Sequence, residues 1–415
     1  MTGFFPEETK VKPLHVLPQC GLCALLNEGC RTKKMPVAGD GRRGIMVVGE
    51  APGQAEDERG RPFVGKTGQV LRRVLAGHGI DLDRDCWSTN ALICHPPGNK
   101  VGNEARIDYC RPNVFKAIAD LKPKVIVLLG GAAVKSVVGR LFRPDPGGAF
   151  KWAGWTVPSV DLNAWVCPTF HPSFLLREEN PLLDRLFGAH LGKAVSLTRR
   201  PWKTPPDYRG AVRVMNDPQE AAAAVQEMTA AGLPAAFDYE TNMLKPHHER
   251  SFIACASMSN GVRTVVFPFV GEVVPAFVAF LKSKVPKVLY NAKFEMAWSY
   301  FVLKTRVKAV TWDGMVQAHV LDNRPGICGL KFQAFVRLGQ GDYNSAVSGY
   351  LKSPRAGGYA ENRVKAANPR ELMVYCGMDS LLEFLVYEHQ KRETEGKPCF
   401  KDSSATTKKA GSTGG

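Results

Sequence analysis

The sequence lacks the long apolar segments that insertion into a membrane or secretion would require. Its 415 residues contain no run of eighteen apolar residues, and the first ten, MTGFFPEETK, lack the basic-then-apolar order of a signal peptide. It also shows no internal repeat of the length used by solenoid proteins. We therefore expect a soluble protein of the cytoplasm, long enough for two or three domains that each have a hydrophobic core.

The sequence also lacks the signature of a disulfide framework, although it contains 11 cysteines. Such frameworks belong mostly to small secreted domains, and this chain is large. Cys20 and Cys23 form a Cys-x-x-Cys pair, while Cys94 and Cys110 flank a loop rich in proline, glycine and asparagine. This arrangement suits a tetrahedral zinc ion or a cubane iron–sulfur cluster, and the spacing leaves both open. The other cysteines are expected to be small buried hydrophobes or free thiols.

Acidic residues are too few to balance the basic ones. The chain has 55 Lys and Arg against 39 Asp and Glu, which gives a formal net charge of +16. An excess of this size indicates a polyanionic partner, because contacts to phosphates release counterions and strengthen binding. Nucleic acid is the expected partner. A basic protein whose charge serves only solubility is the alternative.

Short apolar runs alternate with amphipathic stretches through the first half, as in GIMVVG, GQVLRRVLAGHGI, CWSTNALIC and KVIVLLGG. This alternation predicts an α/β layer sandwich with a parallel sheet, whose ligands sit at the carboxyl ends of the strands. The alternation stops at SLTRRPWKTPPDYRG, where prolines and cations cluster. We predict a first domain over residues 1–195, a linker over 196–210, a second α/β domain over 211–395 and a disordered tail over 396–415.

Residues 60–68, GRPFVGKTG, match the sequence pattern of a phosphate-binding P-loop. A working P-loop directly follows a buried strand, so that backbone N–H groups at a helix N-terminus hold the phosphates. Here the polar run EAPGQAEDER separates the loop from the strand candidate GIMVVG. The loop is therefore expected to have another purpose, and ATP is expected neither to bind nor to be hydrolysed.

Acidic residues recur at informative spacings in the second half. AAFDYETN places Asp238 and Glu240 two apart on a predicted strand, so both carboxylates leave from one face. Burying two such carboxylates is costly unless a cation neutralises them. The segment YNAKFEMAW adds Asn291, Lys293 and Glu295.

A third segment, LMVYCGMDSLLEFL, places Tyr375 and Asp379 four apart on a predicted helix and hence on one face. Four carboxylates and a tyrosine from three separate elements are able to build a site for two Mg²⁺ or Mn²⁺ ions. Such a site clamps the attacking and leaving oxygens of a phosphodiester. Asp313, which lies between these segments, is expected to have a structural role.

These three segments resemble motifs I, II and III of the DEDDy 3′-5′ exonucleases, in particular the proofreading domain of family A DNA polymerases. The resemblance covers about residues 205 to 395 and implies a ribonuclease-H-like (DnaQ-type) fold with a mixed sheet. It implies Asp238, Glu240, Glu295 and Asp379 as metal ligands. It also implies that Tyr375 orients or deprotonates the attacking water.

Motif II departs from the family at one position. The order Asn-x-Lys-Phe-acid is intact, and the resemblance implies that Asn291 and Lys293 contact the substrate. The departure is in the acid itself, because the family usually has Asp where this chain has Glu295. The extra methylene shifts a ligand by about one C–C bond, and displacements of that order cost roughly 10²-fold in rate. Activity is still expected.

The first half resembles the iron–sulfur uracil-DNA glycosylases, family 4, across about residues 15 to 195. The segments that show it are GEAPGQAEDERGRPFVGKTG, STNALICHPPGN and PTFHPSFLLR. The resemblance implies a three-layer α/β/α sandwich and a [4Fe-4S] cluster on Cys20, Cys23, Cys94 and Cys110. Zinc remains the alternative on ligand chemistry alone.

Chemistry on a base requires that the base be flipped into a closed pocket. Phe63 is expected to stack on the base, and Asn90 to pair with the pyrimidine 4-carbonyl and N3–H, which distinguishes uracil from cytosine. His171 is expected to donate to the uracil O2, where negative charge develops. Glu50 and Glu56 are both candidates for placing water or stabilising the cationic sugar, and the sequence does not choose between them.

Gly49 and Ala51 flank Glu50 and are expected to contact the base as well. Ala51 stands where the best-known glycosylase family has a catalytic Asp, so activity would depend on stabilising the leaving group and on a glutamate elsewhere. The alternative is a first domain that binds DNA or a polymerase without catalysis while only the exonuclease works.

Together the two halves resemble the N-terminal region of certain bacteriophage DNA polymerases, in which a glycosylase-like domain precedes the proofreading exonuclease. The resemblance implies single-stranded 3′ ends and uracil-containing DNA as substrates, a DNA polymerase as partner, and the host cytoplasm as location. The chain stops soon after motif III. Either it is the proofreading partner of a separate polymerase or it is a truncated polymerase, and the sequence leaves both open.

Overall fold

The computed structural model describes residues 17–200, 204–353 and 357–396. They form two compact units. The first consists of the chain up to Pro206 together with Ala334–Asp342, and the second of Asp207–Gln333 and the chain from Tyr343 onward. The predicted domain limits stay a prediction, and all but the first residue of the predicted tail lies outside the described residues. Among the described residues, no helix is long and apolar enough to cross a membrane.

In the part of the chain that the structure describes, the first unit contains a five-stranded sheet in the order β2-β1-β3-β5-β4. Strands β1, β2, β3 and β5 are parallel to one another, and β4 is antiparallel to β5. All residues of β1 and β3 are buried, as expected for parallel strands that are covered on both faces. The strands are β1 (Ile45–Gly49), β2 (Cys86–Asn90), β3 (Val125–Leu129), β4 (Val157–Ser159) and β5 (Ala164–Thr169).

Helices cover this sheet. Val47 and Val127 pack with helices α3 and α9 in a cluster that includes Phe187 and Leu191, while α6 contacts β1, β3 and β5 and packs on α5. The prediction of a three-layer α/β/α sandwich is therefore confirmed. The helices are α1 (Cys20–Cys23), α2 (Gln54–Arg59), α3 (Lys66–Ala76), α4 (Leu82–Asp85), α5 (Ala105–Leu121), α6 (Gly130–Leu141), α7 (Ala149–Trp152), α8 (Pro172–Glu178) and α9 (Pro181–Leu197), with 3₁₀ turns at Leu25–Asn27 and Pro97–Asn99.

The described part of the second unit contains a six-stranded mixed sheet in the order β11-β10-β7-β8-β9-β6. Strands β7, β8 and β9 form an antiparallel meander, β10 and β11 continue the sheet parallel to β7, and β6 pairs parallel to β9. This topology confirms the predicted ribonuclease-H-like fold with a mixed sheet. The strands are β6 (Val212–Val214), β7 (Ala235–Thr241), β8 (Ile253–Ser259), β9 (Thr264–Pro268), β10 (Lys287–Leu289) and β11 (Val310–Asp313).

Helix α16 (Pro369–Thr394) packs along this sheet and contacts β6, β7, β8, β9 and β10. Its start is well defined, because the Asn368 side chain accepts hydrogen bonds from two backbone N–H groups of the first turn and Pro369 follows. The main core of the unit holds Phe237, Phe277 and Trp298. The other helices of this unit are α10 (Pro218–Ala230), α11 (Val273–Lys282), α12 (Lys293–Phe301), α13 (Gly314–Leu321) and α15 (Ser348–Leu351), with a 3₁₀ turn at Val364–Ala366. Helix α14 (Leu330–Leu338) begins in this unit and ends in the segment Ala334–Asp342 of the first unit.

Candidate active sites

A pocket of about 600 Å³ lies at the carboxyl ends of β1, β2 and β5, where parallel α/β sheets place their ligands. Its wall is partly apolar, with a few convergent polar groups, which is typical of a small-molecule or base site. Predicted site residues that line this pocket are Glu50, Ala51, Glu56, Phe63, Asn90 and His171. The structure therefore brings together residues that are separated by more than 100 positions in the sequence.

Phe63 is held against the strand ends by close backbone packing. It is buried and adopts a φ of 57°, a left-handed conformation that is strained for a bulky residue. A Cβ on Gly68 would lie 2.0 Å from the Phe63 carbonyl oxygen. A Cβ on Gly49 would lie 2.3 Å from Asn90 Oδ1 and 2.8 Å from Phe63 Cζ. Because neither glycine has a Cβ, the Phe63 ring and the Asn90 amide can both pack closely against the backbone beside the pocket.

His171 begins helix α8 and faces the same pocket. Its Nδ1 accepts a hydrogen bond from the backbone N–H of Ser173 at 3.2 Å and lies 2.8 Å from Ser173 Oγ, which itself accepts a hydrogen bond from Arg177. These contacts favour the neutral tautomer with its proton on Nε2. Burial, followed by the charge of Arg177, lowers the pKa of His171 to about 4. The ring is therefore a neutral N–H donor near pH 7.

We expect the His171 ring to titrate near pH 4 in the folded protein, against about 6.5 in an unfolded chain. Between these values the unfolded chain binds more protons than the folded one, so the His171 contribution to folding stability falls as the pH is lowered from 6.5 to 4. NMR of ¹³C-labelled histidine measures the midpoint. A His171 midpoint at or above 6.5 would contradict the neutral-donor assignment.

The structure distinguishes the two candidate glutamates. Glu56 Oε1 accepts a hydrogen bond from the backbone N–H of Gly65 at 2.8 Å, at the N-terminus of α3. This carboxylate occupies an N–H group that a P-loop would offer to a phosphate, and the absence of ATP binding stays a prediction. Burial raises the pKa of Glu50, and the charge of Arg177 partly offsets that rise.

Four cysteine side chains, those of Cys20, Cys23, Cys94 and Cys110, line one small cavity together with apolar residues. Two N–H groups point at their sulfurs: the backbone N–H of Lys34 reaches Cys94 Sγ and the side-chain amide of Asn113 reaches Cys110 Sγ, both at 3.4 Å. Burial raises the pKa of Cys94 to about 11. Burial also raises the pKa of Cys110. The two N–H donors fit sulfurs that bind a metal as thiolates.

The ligand chemistry of this cavity suits a metal centre. Four cysteines around one cavity, with N–H donors at two of the sulfurs, fit either a zinc ion or an iron–sulfur cluster.

The acidic residues of the second unit converge from three elements. Asp238 and Glu240 lie on β7, Glu295 lies in the first turn of α12, and Asp379 lies on α16. Ligand atoms of Asp238, Glu240 and Cys376 lie within 4.8 Å of one another.

Burial, followed by the neighbouring carboxylates, raises the pKa of Asp238, Glu240 and Glu295 well above the usual range. Asp238 Oδ2 and Glu295 Oε2 are buried without a hydrogen-bond partner in the described part of the chain. Such an oxygen-rich, unsatisfied site fits divalent cations such as Mg²⁺ or Mn²⁺.

Tyr375 lies one helical turn before Asp379 and is held by two further residues. Lys331 Nζ donates a hydrogen bond to the Tyr375 hydroxyl at 3.1 Å and lies 5.0 Å from the centre of its ring. Tyr343 donates a hydrogen bond to Asp379, and its ring centre lies 5.7 Å from that of Tyr375. The lysine charge also lowers the pKa of Asp379, opposing the rise that burial causes.

Motif II is fixed by Asp313 at the end of β11. Its carboxylate accepts hydrogen bonds from the backbone N–H groups of Asn291 at 3.1 Å and Ala292 at 2.8 Å, and also caps α13. Asn291 has a φ of 65°, and Lys293 is exposed at the start of α12. The contacts of Asp313 are of the structural kind that the sequence predicts for it.

Four residues near these sites were not singled out from the sequence. Arg177 lines the first pocket, and its charge acts on both Glu50 and His171. Lys331 and Tyr343 contact the second site across sequence separations of 44 and 36 residues. Glu383, a buried carboxylate on α16, follows Asp379 by one helical turn, and this spacing is the only signal that the sequence offered.

The sandwich, the pocket at its strand ends and the four-cysteine cavity define the class of the first unit, a DNA base-binding domain of the glycosylase type. The family profile described as Uracil DNA glycosylase superfamily matches residues 36–191. A type-4 uracil-DNA glycosylase of Pyrobaculum aerophilum is 34% identical over 172 residues, which are 40% of this chain and 85% of that protein. The chain therefore belongs, through its first unit, to the type-4 uracil-DNA glycosylases.

Two further similarities extend beyond this domain. A DNA polymerase of Bacillus phage SP01 is 22% identical over 361 residues, which are 76% of this chain and 37% of the polymerase. Escherichia coli RNase D, an exoribonuclease involved in structured RNA processing, superposes with a TM-score of 0.34 and 14% identity, and the match covers 45% of each chain.

Proposed function

We propose that the chain is a DNA-processing enzyme with two activities: excision of uracil in the first unit and 3′-5′ exonucleolytic hydrolysis, dependent on Mg²⁺ or Mn²⁺, in the second. The observation that supports the first activity best is the meeting of Phe63, Asn90 and a neutral His171 at one pocket. The observation that supports the second is the convergence of four carboxylates from β7, α12 and α16 on one buried site.

In uracil excision, the bond between the base N1 and the sugar C1′ breaks and its electron pair moves into the uracil ring. The Nε2–H of His171 donates to O2 and stabilises the resulting anion without having to be charged itself. Asn90 reads the 4-carbonyl and N3–H, while Phe63 stacks on the ring. Glu50 orients the water that attacks C1′ and stabilises the cationic sugar.

We assign the second glutamate a different role. Glu56 accepts the Gly65 N–H and so holds the 60–68 loop that presents Phe63 to the base. This division of roles is based on their contacts, because the Glu56 carboxylate accepts a hydrogen bond, whereas the described residues provide none to the Glu50 carboxylate. Glu56 therefore acts through the loop, whereas Glu50 acts on the reacting atoms.

In exonucleolytic hydrolysis, bound divalent ions would supply positive charge at the attacking and leaving oxygens of the phosphodiester. The residues of this chain would hold those ions through Asp238, Glu240, Glu295 and Asp379. Tyr375 orients the attacking water, and Lys331 fixes the phenol by its hydrogen bond. Asn291 and Lys293 contact the strand that enters the site. The match to a phage DNA polymerase supports a role beside DNA synthesis, with a polymerase as partner or as the remainder of the chain.

We further propose that the four-cysteine cavity holds a [4Fe-4S] cluster. Cys94→Ser is expected to remove one ligand, bleach the brown colour of the purified protein and lower its iron content. Cys328→Ser, at a cysteine outside the cavity, is the matched control and is expected to retain the colour and the iron. Metal analysis and the visible absorption spectrum measure both. Stoichiometric zinc without iron in the unsubstituted protein would refute the cluster.

A further inference from the structure

Helix α16 carries a third acidic or phenolic group in line with Tyr375 and Asp379. Glu383 follows Asp379 by four residues, as Asp379 follows Tyr375, so the three side chains lie along one stripe of the helix. Glu383 is 3% exposed. Helix α16 packs this stripe toward the sheet that contains Asp238.

The carboxylate of Glu383 has no basic group among the charges that act on it. Its Oε2 atom is fully buried and has no hydrogen-bond partner within the described part of the chain. The charges that act on it are those of Asp238, Glu295, Asp379 and Asp313, all of which are acidic. An unpaired buried carboxylate among others is strongly unfavourable unless a cation joins the group.

The unsatisfied carboxylate oxygens of this unit follow a pattern. In the described structure, the buried carboxylate oxygens without a hydrogen-bond partner are Asp238 Oδ2, Glu295 Oε2 and Glu383 Oε2. They come from β7, α12 and α16, the three elements that build the proposed nuclease site. A set of three unsatisfied oxygens from three elements has the ligand chemistry that Mg²⁺ and Mn²⁺ prefer.

We propose that Glu383 is a fifth carboxylate ligand of the nuclease site and that its unpartnered Oε2 atom binds one of the two divalent cations. This inference rests on the proposed exonuclease function and adds a ligand to it.

The test is Mn²⁺ binding to the full chain, followed by electron paramagnetic resonance, with Glu383→Gln compared with the unsubstituted protein. Glutamine keeps the volume but not the charge. Glu388→Gln, on the same helix but outside this stripe, is the matched control. The unsubstituted protein and Glu388→Gln are expected to bind two Mn²⁺ ions in this unit. Glu383→Gln is expected to bind one of them about tenfold or more weakly.

A thermal unfolding scan separates ligation from a purely structural role. As a ligand, Glu383 repels its neighbours when no metal is bound, so Glu383→Gln is expected to raise the melting temperature in EDTA and to reduce the rise that Mn²⁺ causes. A structural role would lower the melting temperature equally with and without Mn²⁺ and would overturn the proposal. If Glu383→Gln does not fold, Glu383→Asp, which keeps the charge but shortens the side chain, is expected to show the same weakening of Mn²⁺ binding.

The outcomes for Glu383 and for the exonuclease are distinguishable. Two Mn²⁺ ions bound with unchanged affinity in a folded Glu383 variant, together with Mn²⁺-dependent shortening of DNA, would overturn the role of Glu383 and leave the nuclease intact. No Mn²⁺ bound by the unsubstituted protein would overturn both.

Discussion

Replacing Asp238 and Glu240 together by Ala is expected to reduce Mg²⁺-dependent shortening of a single-stranded oligonucleotide by roughly 10³-fold or more. Both residues lie on β7. Within the described residues, three side chains with potential ligand atoms within 4.8 Å of one another are found in one group, which consists of Asp238, Glu240 and Cys376. Without them the site loses the charges that hold the metal ions. The length of a 5′-labelled strand against time, on a denaturing gel, measures the rate.

The matched control replaces two exposed glutamates of the same unit, Glu249 and Glu272, by Ala. This variant should shorten the strand at the normal rate. Uracil excision should be unchanged in both variants, because its residues lie in the other unit. Persistent shortening by the Asp238→Ala, Glu240→Ala protein, after removal of contaminating nucleases, would show that the metal ligands have been wrongly assigned.

Replacing His171 by Ala is expected to slow uracil excision by roughly 10²- to 10³-fold, the usual cost of removing one donor to a developing oxyanion. The neutral ring donates from Nε2 because Ser173 occupies Nδ1, and burial keeps it neutral. Excision is measured in EDTA as alkali-labile breaks at a single uracil. The decrease should appear in the rate at saturating DNA, since the donor acts on the leaving group and not on DNA binding.

His319→Ala supplies the control, because His319 is exposed on α13 in the other unit. It should excise uracil normally. A His171→Ala protein with full excision activity would exclude His171 as the donor to O2 and would leave Asn90 and Glu50 as the groups to test next.

Much of this architecture follows from local sequence patterns. Continuous apolar runs such as GIMVVG become fully buried parallel strands, and the D-x-E and Y-x-x-x-D spacings place their side chains on one face of a strand or a helix. The positions of the motifs after successive strands then indicate which residues lie together at the carboxyl edge of the sheet. These inferences depend only on periodicity and on the topology of α/β sheets.

Other features depend on tertiary contacts that no local pattern encodes. The left-handed backbone of Phe63 depends on tertiary packing, because the Phe63 carbonyl lies too close to Gly68 for any residue with a Cβ at that position. Lys331 on α14 donates a hydrogen bond to Tyr375 on α16. Burial raises the pKa of Glu50, which lies after β1, and the charge of Arg177 on α8 partly offsets that rise. Glu383 looks like an ordinary polar position in LLEFL, because its burial depends on how α16 packs against the sheet.

The most direct test of the central claim, two activities in one chain, uses the unsubstituted protein and a labelled single strand that contains one uracil. In EDTA the strand should keep its length but break at the uracil after alkali, while a matched strand with thymine stays intact. With Mg²⁺ both strands should shorten from their 3′ ends. Normal DNA binding without any alkali-labile break in EDTA would contradict the account and would indicate a binding domain beside a nuclease.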